Sequence, residues 1–85
     1  MYQIEYKKSV AKDLRAIPKL QLKKIVKRIQ SLASDPRGAN SLKLRGEDEL
    51  YRIRQGAYRI IYSINDQIVT VMILKVGHRK DVYER

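Results

Sequence analysis

Eighty-five residues, 44% of them hydrophobic, make one small domain spanning 1–85, with a modest core and marginal stability of its own. The chain has no cysteine and a single histidine, which excludes disulfides and argues against a structural zinc site. Nineteen Lys and Arg against nine Asp and Glu give a net charge of +10, which favours a polyanion: nucleic acid first, an acidic protein second, an anionic membrane surface a distant third.

Residues Tyr2 to Tyr6 alternate as a short strand does. From Lys8 the period changes: Val10, Leu14 and Ile17 share one helical face, with Ser9 as a candidate N-cap. Pro18 ends this helix and suits the first turn of the next. The second helix carries the apolar stripe Leu22, Ile25, Val26, Ile29, Leu32 and Ala33. Lys23, Lys24, Lys27, Arg28 and Gln30 cover its other side, and Asp35-Pro36-Arg37-Gly38 stops it. The two helices are expected to form a hairpin. A polar connection follows from Ala39 to Asp48.

Tyr51 and Ile53 then alternate with Arg52 and Arg54, Gln55-Gly56-Ala57 turns the chain, and Tyr58, Ile60, Tyr62 and Ile64 share a face. Asn65-Asp66-Gln67 turns it again. Ile68 to Val76 is nearly continuous apolar, as expected of a central or doubly covered strand. The predicted fold is α+β with element order βααβββ: an N-terminal strand and a helical hairpin packed on an antiparallel sheet. No apolar run approaches the roughly 20 residues of a membrane helix, and Met1–Glu5 does not read as a signal peptide. A cytoplasmic protein is expected.

The candidate chemistry lies in the last third of the chain. Arg52, Arg54 and Arg59 fall on one predicted sheet face, where they form a phosphate clamp, pair with Glu47, Asp48, Glu49 or Asp66, or simply face water. His78 is of the one side-chain type that titrates near neutrality. It follows the last strand, where a turn would present it to the same face. Arg79 and Lys80 extend the basic patch, and Tyr83 suits stacking on a base or donation to a phosphate. Lys43, Arg45, Lys23 and Lys27 are further candidate contacts to RNA. No Gly-rich phosphate loop and no magnesium-holding acidic cluster is evident. Cleavage of RNA by this set would need no cofactor and would proceed by attack of the 2′-OH on the adjacent phosphate. The protein would align that hydroxyl and stabilise the phosphorane.

Leu42-Lys43-Leu44-Arg45-Gly46, Tyr51-Arg52-Ile53-Arg54, Gly56-x-Tyr58-Arg59-Ile60-Ile61-Tyr62 and Val76-Gly77-His78-Arg79-x-x-x-Tyr83 together resemble the RelE toxins, small ribonucleases of bacterial and archaeal toxin–antitoxin pairs. The resemblance covers nearly the whole chain. It implies a toxin that enters the ribosomal A site and cuts mRNA there. It also implies an antitoxin of the RelB kind, expected to be acidic and to lay an amphipathic helix in an apolar groove of a toxin that is monomeric when free. By resemblance the catalytic set maps to Arg52, Arg54, Arg59, Arg79 and Tyr83. One departure stands out: well-studied members carry lysines on the first meander strand, one of them thought to be the general base. Arginine stays protonated in proteins, so Arg52 and Arg54 are not bases, and either His78 moves the proton or alignment and charge carry most of the rate. Two other functions compete: a gyrase-poisoning toxin of the related ParE group, and a basic RNA-binding domain without catalysis.

Overall fold

The computed structural model describes residues 1–38, 40–44 and 50–78. The elements are β1 (Gln3–Tyr6), α1 (Lys8–Arg15), α2 (Lys19–Ser31), β2 (Leu42–Lys43), β3 (Leu50–Gln55), β4 (Tyr58–Asn65) and β5 (Thr70–His78). The strands make one five-stranded sheet in the order β1-β5-β4-β3-β2. The β3–β4–β5 meander is antiparallel, as its short connections require. Two features go beyond the sequence expectation. β1 joins the sheet parallel to β5, because the α1–α2 hairpin carries the chain back across the sheet before the meander begins. The polar connection after α2 contains a further two-residue edge strand, β2, paired with Tyr51 and Arg52.

Local chemistry explains the boundaries. The Lys7 N–H donates to Ile73 O at 2.9 Å, holding residue 7 extended as the last rung of β1. The Val10 N–H then donates to Lys7 O, so the helix starts at once and Lys7, not Ser9, is its N-cap. Pro18, at φ −55° and ψ 142°, is the residue before α2 instead of a member of its first turn. It cannot donate a backbone hydrogen bond, and it forces the break between the helices. Gly56 and Ala57 form the two-residue loop between Gln55 and Tyr58. Gly56 has φ 61°, the left-handed conformation that a tight hairpin needs at its first loop position.

The core lies between the helices and one face of the sheet. Val10, Ile17, Ile25, Ile29 and Leu32 from the helical layer meet Tyr51, Ile53, Ile60, Tyr62, Ile64, Val71, Ile73 and Val76 from the strands. The expected α2 stripe is present, with Ile25, Ile29 and Leu32 buried and Leu22, Val26 and Ala33 half-buried. Tyr62 is the largest fully buried side chain. Its hydroxyl donates to Pro36 O at 2.7 Å, and its ring stacks on Tyr51 with centroids 5.8 Å apart. Burial pushes its pKa up to about 12. β5 is a central strand, as its composition suggested, but Ile68 and Val69 are exposed turn residues outside it.

Candidate nucleic-acid interface

Strand alternation sorts the meander into two faces. Tyr51 and Ile53, then Tyr58, Ile60, Tyr62 and Ile64, point at the helices. The residues between them point outward. On this outer face Arg54 is directly opposite Arg59, and Arg52 is opposite Ile61. Ile61 is in turn opposite Lys75, and Arg59 is opposite Gly77. Directly opposed side chains in such a ladder have Cβ atoms about 5 Å apart. Three arginines and a lysine therefore occupy neighbouring positions, and the residue opposite Arg59 on β5, Gly77, carries no side chain. Arg52 and Arg59 are half-buried with their Nε atoms shielded from water, while Arg54 and Lys75 are exposed. Guanidinium groups held against a sheet in this way can fork onto phosphate oxygens with little further ordering.

Asp66 is taken by other groups: the Arg37 Nη2 donates to Asp66 Oδ2 at 2.8 Å, and the Tyr2 hydroxyl donates to Asp66 Oδ1 at 2.6 Å. The Arg37 contact, with the Tyr2 hydroxyl second, holds the Asp66 carboxyl below its usual value. Glu47, Asp48 and Glu49 lie outside the described residues. Among the described strand residues the one carboxylate is Glu5. It is opposite Met72 on β1, across the sheet from β3.

The sequence-derived set is not all brought together. Arg52, Arg54 and Arg59 are. His78 is the last residue of β5 and not part of a turn. Its register opposite Tyr58 puts it on the helix side of the sheet, with its ring edge-on to Tyr58 at 5.7 Å between centroids. The expectation that His78 shares a face with the arginines is therefore not met, because the strand runs on through Gly77. Lys43 is opposite Tyr51 and so is also on the helix-side register, at the β2 edge. Lys23 and Lys27 are on α2, which packs on the opposite face of the sheet from the arginines. Arg45, Arg79, Lys80 and Tyr83 fall outside the described residues.

Two features escaped the sequence reading. Lys75 was hidden in the apolar run of β5, where the register shift between Ile61 and Tyr62 disturbs the alternation that would have marked it as outward. A second basic cleft, of ≈ 260 Å³, lies between α2 and the end of β3, lined by Lys24, Lys27, Arg28, Ser31 and Gln55. Among the described residues no three acidic or histidine side chains gather where a metal ion would sit, and no helix is long and apolar enough to cross a membrane.

Fold and site define a class: a small basic α+β domain with one face of its sheet buried under a helical hairpin and the other cationic. The family model described as ParE toxin of type II toxin-antitoxin system, parDE, matches residues 4–83. The putative toxin RelE1 of Methanocaldococcus jannaschii is 33% identical over 88 residues, covering 98% of this chain and 96% of the relative. The mRNA interferase toxin RelE of Escherichia coli K12 is 27% identical over 81 residues, covering 93% and 84%. A chain of the archaeal RelE–RelB complex from Pyrococcus horikoshii OT3 superposes with a TM-score of 0.82 at 31% identity, covering 95% of this chain and 98% of that one. The protein belongs to the RelE branch of the RelE/ParE family, the toxins of type II toxin–antitoxin systems.

Proposed function

We propose that this toxin is a ribosome-dependent endoribonuclease that cuts mRNA in the ribosomal A site and so stops translation. The observation that carries the reading is the outer face: Arg52, Arg54, Arg59 and Lys75 at neighbouring positions of one sheet. The mRNA interferase name of the Escherichia coli relative supports it.

In this reading the arginines hold the scissile phosphate. The 2′-oxygen loses its proton and bonds to phosphorus, the bond to the 5′-oxygen breaks, and that oxygen takes up a proton. The products are a 2′,3′-cyclic phosphate and a 5′-hydroxyl. The protein contributes in-line alignment and fixed positive charge for the phosphorane. Arg52 and Arg54 remain protonated and do not act as the base. Arg79 and Tyr83 complete the set, with Lys43, Arg45, Lys80, Lys23 and Lys27 as contacts to rRNA. His78 is the candidate for proton transfer, provided the RNA reaches from the outer face to the end of β5. Cleavage at the wild-type rate by His78→Gln would leave alignment and charge as the protein's whole contribution.

The partner is a RelB-like antitoxin, as in the RelE–RelB complexes among the solved relatives. An acidic amphipathic helix of that antitoxin suits the groove of ≈ 480 Å³ along α2, where Leu22 and Val26 are bordered by Lys19, Lys23 and Lys27.

The deciding experiment maps mRNA ends by primer extension on programmed ribosomes without added metal, with the Arg79→Ala/Tyr83→Ala variant as control. New ends in the A-site codon, absent from the control, support the reading. A second reading rests on the description of the matching family model as ParE: a toxin directed at gyrase. Ribosomes left intact together with inhibited DNA supercoiling would favour it.

A further inference from the structure

The end of β5 is held by something other than a strand. β1 covers the outer edge of β5 only from Thr70 to Ile73, and the Lys7 N–H to Ile73 O bond is the last rung. β5 runs on to His78, paired on its other side with β4. Backbone groups on the uncovered edge need partners. At Val76 the partner is a side chain: its N–H donates to Asp13 Oδ2 at 3.1 Å, across 63 residues of sequence. Asp13 is the only acidic residue of α1, a helix whose other charged residues are Lys8, Lys12 and Arg15. It is half-buried against the strand.

The place of this contact matters. Between the last β1 rung at Ile73 and the Asp13 bond at Val76 the ladder shifts register: Tyr62 is opposite Ile73, but Ile61 is opposite Lys75, so Leu74 is the extra residue. A bulge bends a strand and increases its twist. The residue after Val76 is Gly77, opposite Arg59, and Lys75 precedes it on the outer face. We infer that Asp13, acting from α1, is a positioning residue for the RNA-cutting face. Its carboxylate fixes the bulged end of β5, and thereby sets Lys75 and Gly77 against Arg59. This inference rests on the ribonuclease reading; the Asp13–Val76 bond itself does not.

The test compares Asp13→Ala with Asp13→Asn, which loses the charge but keeps an acceptor oxygen. Val76 amide exchange and the Gly77 and His78 amide shifts are followed by NMR. Single-turnover mRNA cleavage is measured against ribosome concentration, per folded molecule. A hydrogen bond to a charged group corresponds to at least about a tenfold effect. In Asp13→Ala, Val76 exchange is expected to rise about tenfold, the Gly77 and His78 shifts to move, and the maximal cleavage rate to fall about tenfold. Asp13→Asn is expected to recover most of the rate. Both variants gain positive charge, so any tightening of ribosome binding appears in both and is separated from the rate. An unchanged Val76 exchange in Asp13→Ala would overturn the bond. Faster exchange with an undiminished maximal rate would overturn the positioning role while keeping the bond. A purely structural role would lower the melting temperature and leave the rate per folded molecule alone. Wild-type protein that cuts no mRNA would sink the ribonuclease reading, and the positioning role with it, while the NMR arm still judges the contact.

Discussion

The two faces of the meander are built from the same strands and differ in what they ask of a side chain. On the inner face each position is fixed by its neighbours: Ile60 sits between Ile53 and Val76, Tyr62 between Tyr51 and Ile73, all buried. On the outer face the same ladder sets Arg54 beside Arg59 and Arg52 in line with Lys75. Like charges opposed across strands oppose folding, so the outer face lowers the stability that the inner face supplies. A chain of 85 residues, with a total stability on the order of 5–15 kcal/mol, has little reason on folding grounds to carry such a face. The contrast separates a surface that makes the fold from one whose charge the proposed function would use.

Two adjacent isoleucines give the sharpest way to break this comparison. Ile60 is fully buried on the inner face and Ile61 half-buried on the outer. Ile60→Ala should cost about 3 kcal/mol, from lost burial and the cavity left behind, and Ile61→Ala less than half of that. Urea denaturation measures both, and equal costs would mean that the outer face is packed rather than open. For the outer face the complementary change is Arg54→Ala, at an exposed position. It should leave stability within about 0.5 kcal/mol. If Arg54 contacts a phosphate, affinity for the ribosome should fall about tenfold at moderate salt, and the slope of log affinity against log salt should shrink by about one. A slope identical to that of the wild type would remove Arg54 from the interface.

Much of this was legible in the sequence, and the reasons for the misses are physical. The period of two in Tyr51 to Ile64 assigned both faces of β3 and β4 correctly, because each strand keeps its alternation from end to end. β5 was harder: it is central, its apolar run hid Lys75, and the bulge at Leu74 breaks the alternation that a reader counts on. The place of β1 depends on where the hairpin returns the chain, a long-range matter without a local signal. The same holds for His78. Gly77 reads as a turn, yet it serves here as a strand residue opposite Arg59, so His78 falls on the other face. Asp13 carried no signal either, since one carboxylate in a basic helix looks like ordinary surface.

Smaller effects probe how the helical layer and the sheet are tied together. Tyr62→Phe removes the hydroxyl that donates to Pro36 O and leaves a buried carbonyl without that donor, at a cost of about 1 kcal/mol. Chemical denaturation should show it as a lower midpoint with an unchanged slope. The Arg37–Asp66–Tyr2 contact makes its own prediction in acid. The Asp66 pKa is lowered from 3.8 in the folded state, first by Arg37, so its contribution is present above that value and is lost as pH falls through the folded pKa. Asp66→Asn should therefore narrow the stability gap between variant and wild type as pH drops below about 4. Parallel acid limbs for the two proteins would show that the ion pair adds nothing measurable, as many exposed pairs do.

The smallest expected change lies beyond both faces, in the turn that carries β4 into β5. Asn65 Oδ1 accepts from the N–H groups of Gln67 and Ile68, which closes the turn, and Val69 then adopts φ 50°. That left-handed conformation costs a residue with a Cβ about 1–2 kcal/mol, and more for a β-branched one. The Val69 side chain is 44% exposed, so burial repays little of this. Its backbone is another matter: Val69 O accepts the Gln3 N–H at 2.9 Å and so anchors the start of β1. Asparagine tolerates this conformation and keeps the carbonyl in place. Val69→Asn should therefore stabilise the protein by about 0.5 kcal/mol, seen as a small rise in melting temperature, while Val69→Gly gains less because glycine has more freedom to lose on folding. A loss of stability in Val69→Asn would mean that the valine side chain packs after all. The apolar run that begins at Ile68 would then belong to the core, and the boundary between the buried sheet and its exposed turn would lie two residues earlier.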